Sequence, residues 1–179
     1  MEKLAQVDVS WTLFLDRDGV INERIFGGYI LDYADFRFKD EVLESSKELF
    51  EKFARVIVVT NQQCVAKGLI SPLDLNLLHD KMILDFQKAG STINRVFAAI
   101  ELKDTAPFMR KPHAMMAEMA KQDFPEIDFT KSIMVGDTDS DMRFGKNLGM
   151  KTVLIRSEEK TNVVPDLELN RLGDLIDFI

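Results

Sequence analysis

A three-layer α/β fold with a mainly parallel sheet follows from three features of this 179-residue sequence. Short runs of strand character alternate with segments of helical period, the order that builds parallel sheets covered by helices. The first run is apolar throughout rather than at every second residue, as a strand buried on both faces must be. Carboxylates and hydroxyls stand at or just after the ends of the runs, where open α/β sheets place their ligands. Crossovers between such strands are right-handed because the chain is chiral.

The first strand is Thr12-Leu13-Phe14-Leu15, and it stops at Asp16 and Asp18 with Gly19 directly behind. Two acids at a strand end can share a cation, one attacking while the other handles protons. The plainer reading is a polar turn, since Asp and Gly are common turn residues. The segment Asn22–Phe38 carries Gly27, Gly28 and four aromatics without a helical period, and is expected to form a structured loop or hairpin. Asp40 is the expected N-cap of a helix to about Ala54, with Val42, Leu43, Leu49, Phe50 and Phe53 on its apolar face.

Arg55–Val59 is the second strand and runs into Thr60-Asn61-Gln62. Ser71 caps the next helix, Pro72 fills a first-turn position where its missing N–H costs nothing, Asp74 can close a capping box, and Gly90 ends it. Arg95–Ile100 is the third strand; a loop then leads to Arg110-Lys111-Pro112 and a Met-rich helix from about His113 to Asp123. Ser132–Val135 is the fourth strand, followed by Gly136-Asp137-Thr138-Asp139-Ser140-Asp141 and a helix to about Leu148. Thr152–Ile155 is the fifth strand, and Leu172–Ile179 a terminal helix packed on the body. No repeat or linker divides the chain, so one domain over 1–179 is expected.

The net charge of −7 and the lack of a Lys/Arg run argue against a nucleic-acid partner. Cys64 is the only cysteine, which excludes an internal disulfide and a multi-cysteine zinc site and suits a reducing compartment. Residues 1–10 show no signal-peptide h-region and no run is long enough to span a membrane, so a cytoplasmic location is expected. The oligomeric state is open, a monomer being the simpler expectation.

Parallel strands bring their carboxyl ends to one edge, so Asp16, Asp18, Thr60, Lys111, Asp137 and Asp141 can converge. Several acids with one lysine and one hydroxyl make sense if a divalent cation and a phosphate complete the cluster. A carboxylate attacking a phosphate dianion meets like-charge repulsion, which a cation must offset. Mg²⁺ takes a few carboxylates and keeps several waters. Asp16 and Asp137 suit it, with a backbone carbonyl near Asp18 a candidate third ligand. Lys111 would neutralise nucleophile and phosphoryl oxygens, and Thr60 would donate a hydrogen bond to one of them.

Asp16-x-Asp18-Gly19-Val20, Thr60, Lys111-Pro112 and Gly136-Asp137-x-x-x-Asp141, in this order, resemble the four motifs of the haloacid dehalogenase (HAD) superfamily of phosphatases. The resemblance implies a Rossmann-like fold, and the narrower one that follows implies no large cap domain. It implies Asp16 as nucleophile forming an aspartyl phosphate, Asp18 as acid and then base, and Asp137 as Mg²⁺ ligand with Asp141 in support.

A narrower resemblance runs through Asp16-Arg17-Asp18-Gly19-Val20-Ile21-Asn22, Gly28-Tyr29, Thr60-Asn61-Gln62, Ala66-Lys67-Gly68 and Arg110-Lys111-Pro112. These are similar to the heptose bisphosphate phosphatases and the related histidinol-phosphate phosphatases. The implied substrate is a small phosphorylated metabolite, selected by loops at about 22–38, 61–70 and 101–110, with Asn61, Gln62 and Arg110 as substrate contacts. Arg110, with its forked donors, suits a second phosphate or a carboxylate. Many members of both families carry a zinc loop of cysteines and a histidine before Arg-Lys-Pro; this chain has Glu101–Met109 there without a cysteine, so no structural zinc is expected. Cys64 stands where relatives usually have glycine.

Plainer readings hold for several other residues. Cys64 reads as a small buried or loop cysteine, His79 as a surface or satisfied histidine, and His113 as a helix start. Met115, Met116 and Met119 read as packing. Asp139 is either a metal ligand or a helix N-cap. Arg17 is expected to point away to a structural partner, and Glu158-Glu159-Lys160 to form a solvated loop. The expected activity is Mg²⁺-dependent hydrolysis of a phosphomonoester, heptose 1,7-bisphosphate first and histidinol phosphate second. The alternative of another class is a receiver-like switch phosphorylated on aspartate, which also uses acids, Lys and Thr at strand ends but would not need Asp18.

Overall fold

A computed structural model describes residues 3–103, 105 and 108–179. Its strands β1 (Thr12–Leu15), β2 (Arg55–Asn61), β3 (Arg95–Ala99), β4 (Ser132–Gly136), β5 (Lys151–Ile155) and β6 (Leu167–Leu169) form one parallel sheet in the order β3-β2-β1-β4-β5-β6. Strand order reverses between β1 and β4, which opens a crevice beyond their carboxyl ends. Leu15 pairs with Val58 on one side and Val135 on the other. The residues that follow these three therefore emerge side by side into that crevice.

Alternate strand residues feed opposite layers, as the pleat requires. Leu13, Leu15, Val56, Val58, Ile133 and Val135 pack against α1 (Val42–Phe50), α2 (Pro72–Lys88) and the terminal turn of helix. Phe14, Ile57, Val59 and Met134 pack against α3 (Met115–Asp123) and α4 (Asp139–Leu148). Ser71 caps α2 by accepting the Asp74 N–H, and its hydroxyl donates to the Asp74 carboxylate; Gly149, at φ 76°, ends α4.

Three expectations need correction. The first helix starts at Val42 and ends at Phe50, and Asp40 does not cap it. The Lys39 N–H is tied back to the Ile21 carbonyl, so residues 39–42 turn before the helix starts, with Glu41 at φ 63°. At the other end the Lys52 and Phe53 N–H groups close tight turns, and the Ala54 N–H bonds the Trp11 carbonyl, drawing the chain into the sheet. The terminal segment is a 3₁₀ helix, Leu172–Phe178, with Gly173 pressed against Ser45 of α1. The sixth strand, β6, has three residues, too few for its periodicity to announce it.

The loop 22–38 is closed at its base by an antiparallel bridge between Asn22 and Phe38 and by the Glu23 N–H on the Arg37 carbonyl. Tyr33 stacks on Phe36, Phe36 meets Phe38 edge-on, and Phe38 meets Phe86 of α2 in the same way. The aromatics anchor the loop so that its glycine-bearing tip borders the crevice. No helix among the described residues is long and apolar enough to cross a membrane.

Candidate active site

The ladder continues one residue past β1: the Asp16 N–H donates to the Val135 carbonyl at 2.9 Å. Asp16 is thereby fixed on the rim beside Asp137. The chain then turns sharply, the Arg17 carbonyl accepting the Ile21 N–H at 2.8 Å. Gly19 makes the turn at φ 91°, and a Cβ there would lie 2.1 Å from Asp137 Oδ2. Glycine is thus required twice, by backbone conformation and by the approach of the acid.

Asp141, in the first turn of α4, closes a capping box: its Oδ2 accepts the Thr138 N–H at 3.1 Å and the Thr138 hydroxyl at 2.5 Å. Lys111 lies between acids. Its Nζ is 2.8 Å from Asp16 Oδ1 and 2.6 Å from Asp141 Oδ1, and it donates to the Val59 carbonyl at 2.7 Å. Asn61 holds the lysine backbone, accepting the Lys111 N–H at 2.9 Å.

Asp16, Asp137 and Asp141 each offer an oxygen within 4.8 Å of the others, an arrangement that can hold a metal ion. Asp137 is 1% exposed, and neither of its oxygens accepts an aligned hydrogen bond from a described residue. Burial first, then the charge of Asp16, pushes the Asp137 carboxyl well above the usual range; burial also raises Asp16, against the pull of Lys111. Buried acids with orphaned oxygens are the signature of a site completed by a cation.

Asp18, which lines the same cleft, is held by a separate set of donors. Its carboxylate receives Arg17 Nη2 at 2.9 Å, Asn22 Nδ2 at 2.9 Å and Gln62 Nε2 at 2.8 Å. Burial opposes its charge, yet Arg17 and the two amides hold it below the usual carboxylate range. The side chain of Asp18 is therefore not grouped with Asp16, Asp137 and Asp141, and its expected share in metal binding falls to the backbone carbonyl. Arg17, fully buried and not among the cleft residues, has the expected structural partner, its Nη1 lying 3.0 Å from His79 Nε2, but it also grips Asp18.

His79 is the satisfied histidine. Burial first, then Arg17, lowers its pKa to about 3, so it is neutral and accepts from the guanidinium. Because the pKa is depressed in the fold, its contribution to stability is whole above about pH 6.5 and is lost as pH falls from there toward 3. His79→Gln, which can still accept from Arg17, should flatten the pH dependence of the urea midpoint across that window. An unchanged slope would mean that other groups set it.

Thr60, at the end of β2, is buried on the cleft, and its Oγ1 accepts from Gln62 Nε2 at 2.9 Å, leaving its own proton for a ligand. Gln62 needs correction as a substrate contact: it is 1% exposed, does not line the cleft, and spends its amide on Asp18 and Thr60. On the expected proton-handling role of Asp18, Gln62→Leu should lower kcat about tenfold with KM within about twofold, since a misplaced acid/base group loses part of its usual 10²–10⁴-fold effect. Loss of this donor also raises the Asp18 pKa, moving the acidic limb of the rate profile to higher pH. A raised KM with unchanged kcat would restore the substrate-contact role.

The cleft above these groups has a volume of about 620 Å³ and is lined by Asp16, Asp18, Thr60, Asn61, Arg110 and Lys111, among others. A second lobe of about 390 Å³ shares Asp18, Arg24, Asn61, Arg110 and Glu159 with it, and adds Tyr29, Gln63 and Lys67. Asn61 and Arg110 thus reach both lobes. Lys67 Nζ and Gln63 Nε2 both donate to the Tyr29 hydroxyl, at 2.8 and 3.0 Å.

Sequence reasoning missed Arg24, whose Nη1 is 3.2 Å from Asp137 Oδ2 and 3.2 Å from Glu159 Oε1. Glu159 and Lys160 are correspondingly cleft residues rather than a purely solvated loop. Asp139 is not the N-cap, since Thr138 holds that position; it stands outside the group of Asp16, Asp137 and Asp141, and its Oδ1 accepts the Asn162 and Val163 N–H groups at 2.7 and 3.0 Å. The segment expected to lack zinc is held by Glu101, whose carboxylate accepts the Phe108 and Met109 N–H groups at 3.2 and 2.8 Å. Asp104, Ala106 and Pro107 of that segment lie outside the described residues. Cys64 is buried beside Gln62.

The family model described as HAD-hydrolase-like matches residues 108–172. The D-glycero-alpha-D-manno-heptose-1,7-bisphosphate 7-phosphatase of Campylobacter jejuni is 32% identical, the match covering 93% of this chain and 94% of the relative. The D-glycero-beta-D-manno-heptose-1,7-bisphosphate 7-phosphatase of Escherichia coli is 30% identical, over 91% of this chain and 90% of its own. Among solved structures, a D,D-heptose 1,7-bisphosphate phosphatase from B. bronchiseptica, complexed with magnesium and phosphate, has a similar fold, with TM-score 0.81 and 21% identity over 93% of this chain and 96% of that one.

Proposed function

The chain belongs to the HAD-superfamily phosphatases, in the family of the heptose-1,7-bisphosphate 7-phosphatases, and from that premise we propose that it hydrolyses the 7-phosphate of a D-glycero-D-manno-heptose 1,7-bisphosphate with Mg²⁺. One observation carries the chemistry: Asp16 emerges from the central strand with Lys111 2.8 Å away and two further acids gathered around it. Family membership also decides between hydrolysis and the receiver-like switch, in favour of hydrolysis.

Lys111 engages Asp16 Oδ1, which leaves Oδ2 to attack phosphorus as the ester P–O bond breaks. Thr60 donates a hydrogen bond from its hydroxyl to a phosphoryl oxygen. The phosphate approaching Asp18 raises the pKa of that carboxyl, letting it carry the proton that the departing alkoxide takes. Asp18, then a base, removes a proton from the water that attacks the aspartyl phosphate and releases inorganic phosphate. Asp16, Asp137 and Asp141 would hold Mg²⁺, which supplies charge neutralisation at the phosphoryl oxygens.

The second lobe supports the substrate reading. Arg110 and Lys67 place cations in this lobe and Tyr29 adds an aromatic ring, a lining suited to a sugar with a second phosphate. The test is Mg²⁺-dependent phosphate release from heptose 1,7-bisphosphate and from histidinol phosphate. The expected kcat/KM ratio is about a hundredfold or more in favour of the heptose, nearly 3 kcal/mol in transition-state binding. Equal rates, or a preference for histidinol phosphate, would overturn the substrate assignment and leave the chemistry standing.

A further inference from the structure

Arg24 has no task in the reaction just described, yet its position is specific. It is the second cation of the acid cluster, and it differs from the first in every physical respect. Lys111 is 3% exposed and held by three contacts. The Arg24 side chain is 24% exposed, stands on the 22–38 loop, and makes no aligned hydrogen bond through the Nη1 that faces Asp137 and Glu159. One cation is held by directed bonds, whereas the Nη1 of the other meets its two acids without an aligned bond.

The charge count assigns the difference a purpose. Asp16, Asp137 and Asp141 carry three negative charges when ionised, against which Lys111 and Arg24 set two positive ones. A divalent cation among the acids makes Arg24 redundant at Asp137. Its guanidinium also stands 3.2 Å from Asp137 Oδ2, one of the two oxygens this acid can offer a metal. A guanidinium keeps its charge at every working pH and matches phosphate oxygens through its fork. Arg24 and Glu159 both line the two lobes of the cleft, so the displaced side chain keeps one partner and faces the substrate volume without leaving it.

Resting on the metal and phosphate-ester reading above, we propose that Arg24 is a resident counter-charge for Asp137 that the divalent cation displaces, and that the displaced guanidinium, retained by Glu159, binds the anionic substrate. Metal and substrate binding are then coupled through one side chain, and by linkage each strengthens the other. The pairing unites the 22–38 loop with the segment after β5, and Asp139 secures the latter through Asn162 and Val163.

Calorimetric titration of Mg²⁺ into wild type, Arg24→Gln, Arg24→Lys and Lys160→Gln, without substrate, tests this. Lys160 also lines the cleft and serves as a control for the general field. Arg24→Gln is expected to bind Mg²⁺ about three- to tenfold tighter than wild type, Arg24→Lys to lie between them, and Lys160→Gln to stay within about twofold of wild type. At saturating Mg²⁺, Arg24→Gln should raise KM about tenfold with kcat within about threefold. Mg²⁺ binding that is unchanged or weaker in Arg24→Gln overturns the proposal, as does equal tightening in Lys160→Gln. Arg24→Lys matching Arg24→Gln in Mg²⁺ affinity overturns it too; if the glutamine variant fails to fold, Arg24→Lys binding Mg²⁺ no tighter than wild type overturns it. Wild type that binds no Mg²⁺ overturns the metal reading as well, which separates the two failures.

Discussion

Asp16→Asn should lower kcat by at least about 10⁴-fold while the protein folds normally, because the substitution removes the attacking carboxylate and keeps its shape. The variant should melt at or above the wild-type temperature in the absence of metal. Asp16 is buried beside Asp141 and Asp18, and burial raises its pKa, so its charge is a burden in the free fold. Lys111 keeps Asp141 at 2.6 Å in the variant and is not left unpaired. Phosphate release and thermal unfolding, measured on the same sample, separate the two effects. Activity within about tenfold of wild type would remove Asp16 from the nucleophile's place.

Lys111→Met should fail in both respects at once. Removing one partner of a buried ion pair costs about 3–5 kcal/mol, and here two carboxylates lose their shared cation. The catalytic loss should be at least about 10³-fold, since the charge beside the nucleophile and phosphoryl oxygens goes with it. The stability loss has a pH signature. Without Lys111 the folded-state pKa of Asp16 rises further above its unfolded value. A group raised in the fold gives stability that is present below its unfolded pKa and lost as pH rises through the folded one. The deficit relative to wild type should therefore be larger at pH 8 than at pH 5, and millimolar Mg²⁺ should recover part of it. A deficit independent of pH and of Mg²⁺ would mean that Lys111 acts through packing alone.

The centre was legible because its signals are local. An apolar run closed by Asp16, Asp18 and Gly19 specifies strand, turn and acids within eight residues, and parallel topology then brings Thr60, Lys111, Asp137 and Asp141 to the same edge. What sequence could not show depends on the direction of a side chain or on partners distant in the chain. Gln62 was placed beside the site, but only the fold reveals that it turns inward to Asp18. Asp139 resembles a cap or a ligand until the loop at Asn162 is seen to take its carboxylate. Arg24 and Glu159 look like ordinary surface charges, and nothing in either segment announces their meeting over Asp137. The first helix misled because its limits are set by bonds to Ile21 and Trp11 rather than by its own caps.

Acid-quenched single turnover with radiolabelled substrate phosphate tests the mechanism most directly. The account predicts a hydroxylamine-labile phosphoryl group on the peptide containing Asp16, which forms before phosphate is released and decays at the rate of release. Release of phosphate with no such label, or a label on another residue, would contradict it.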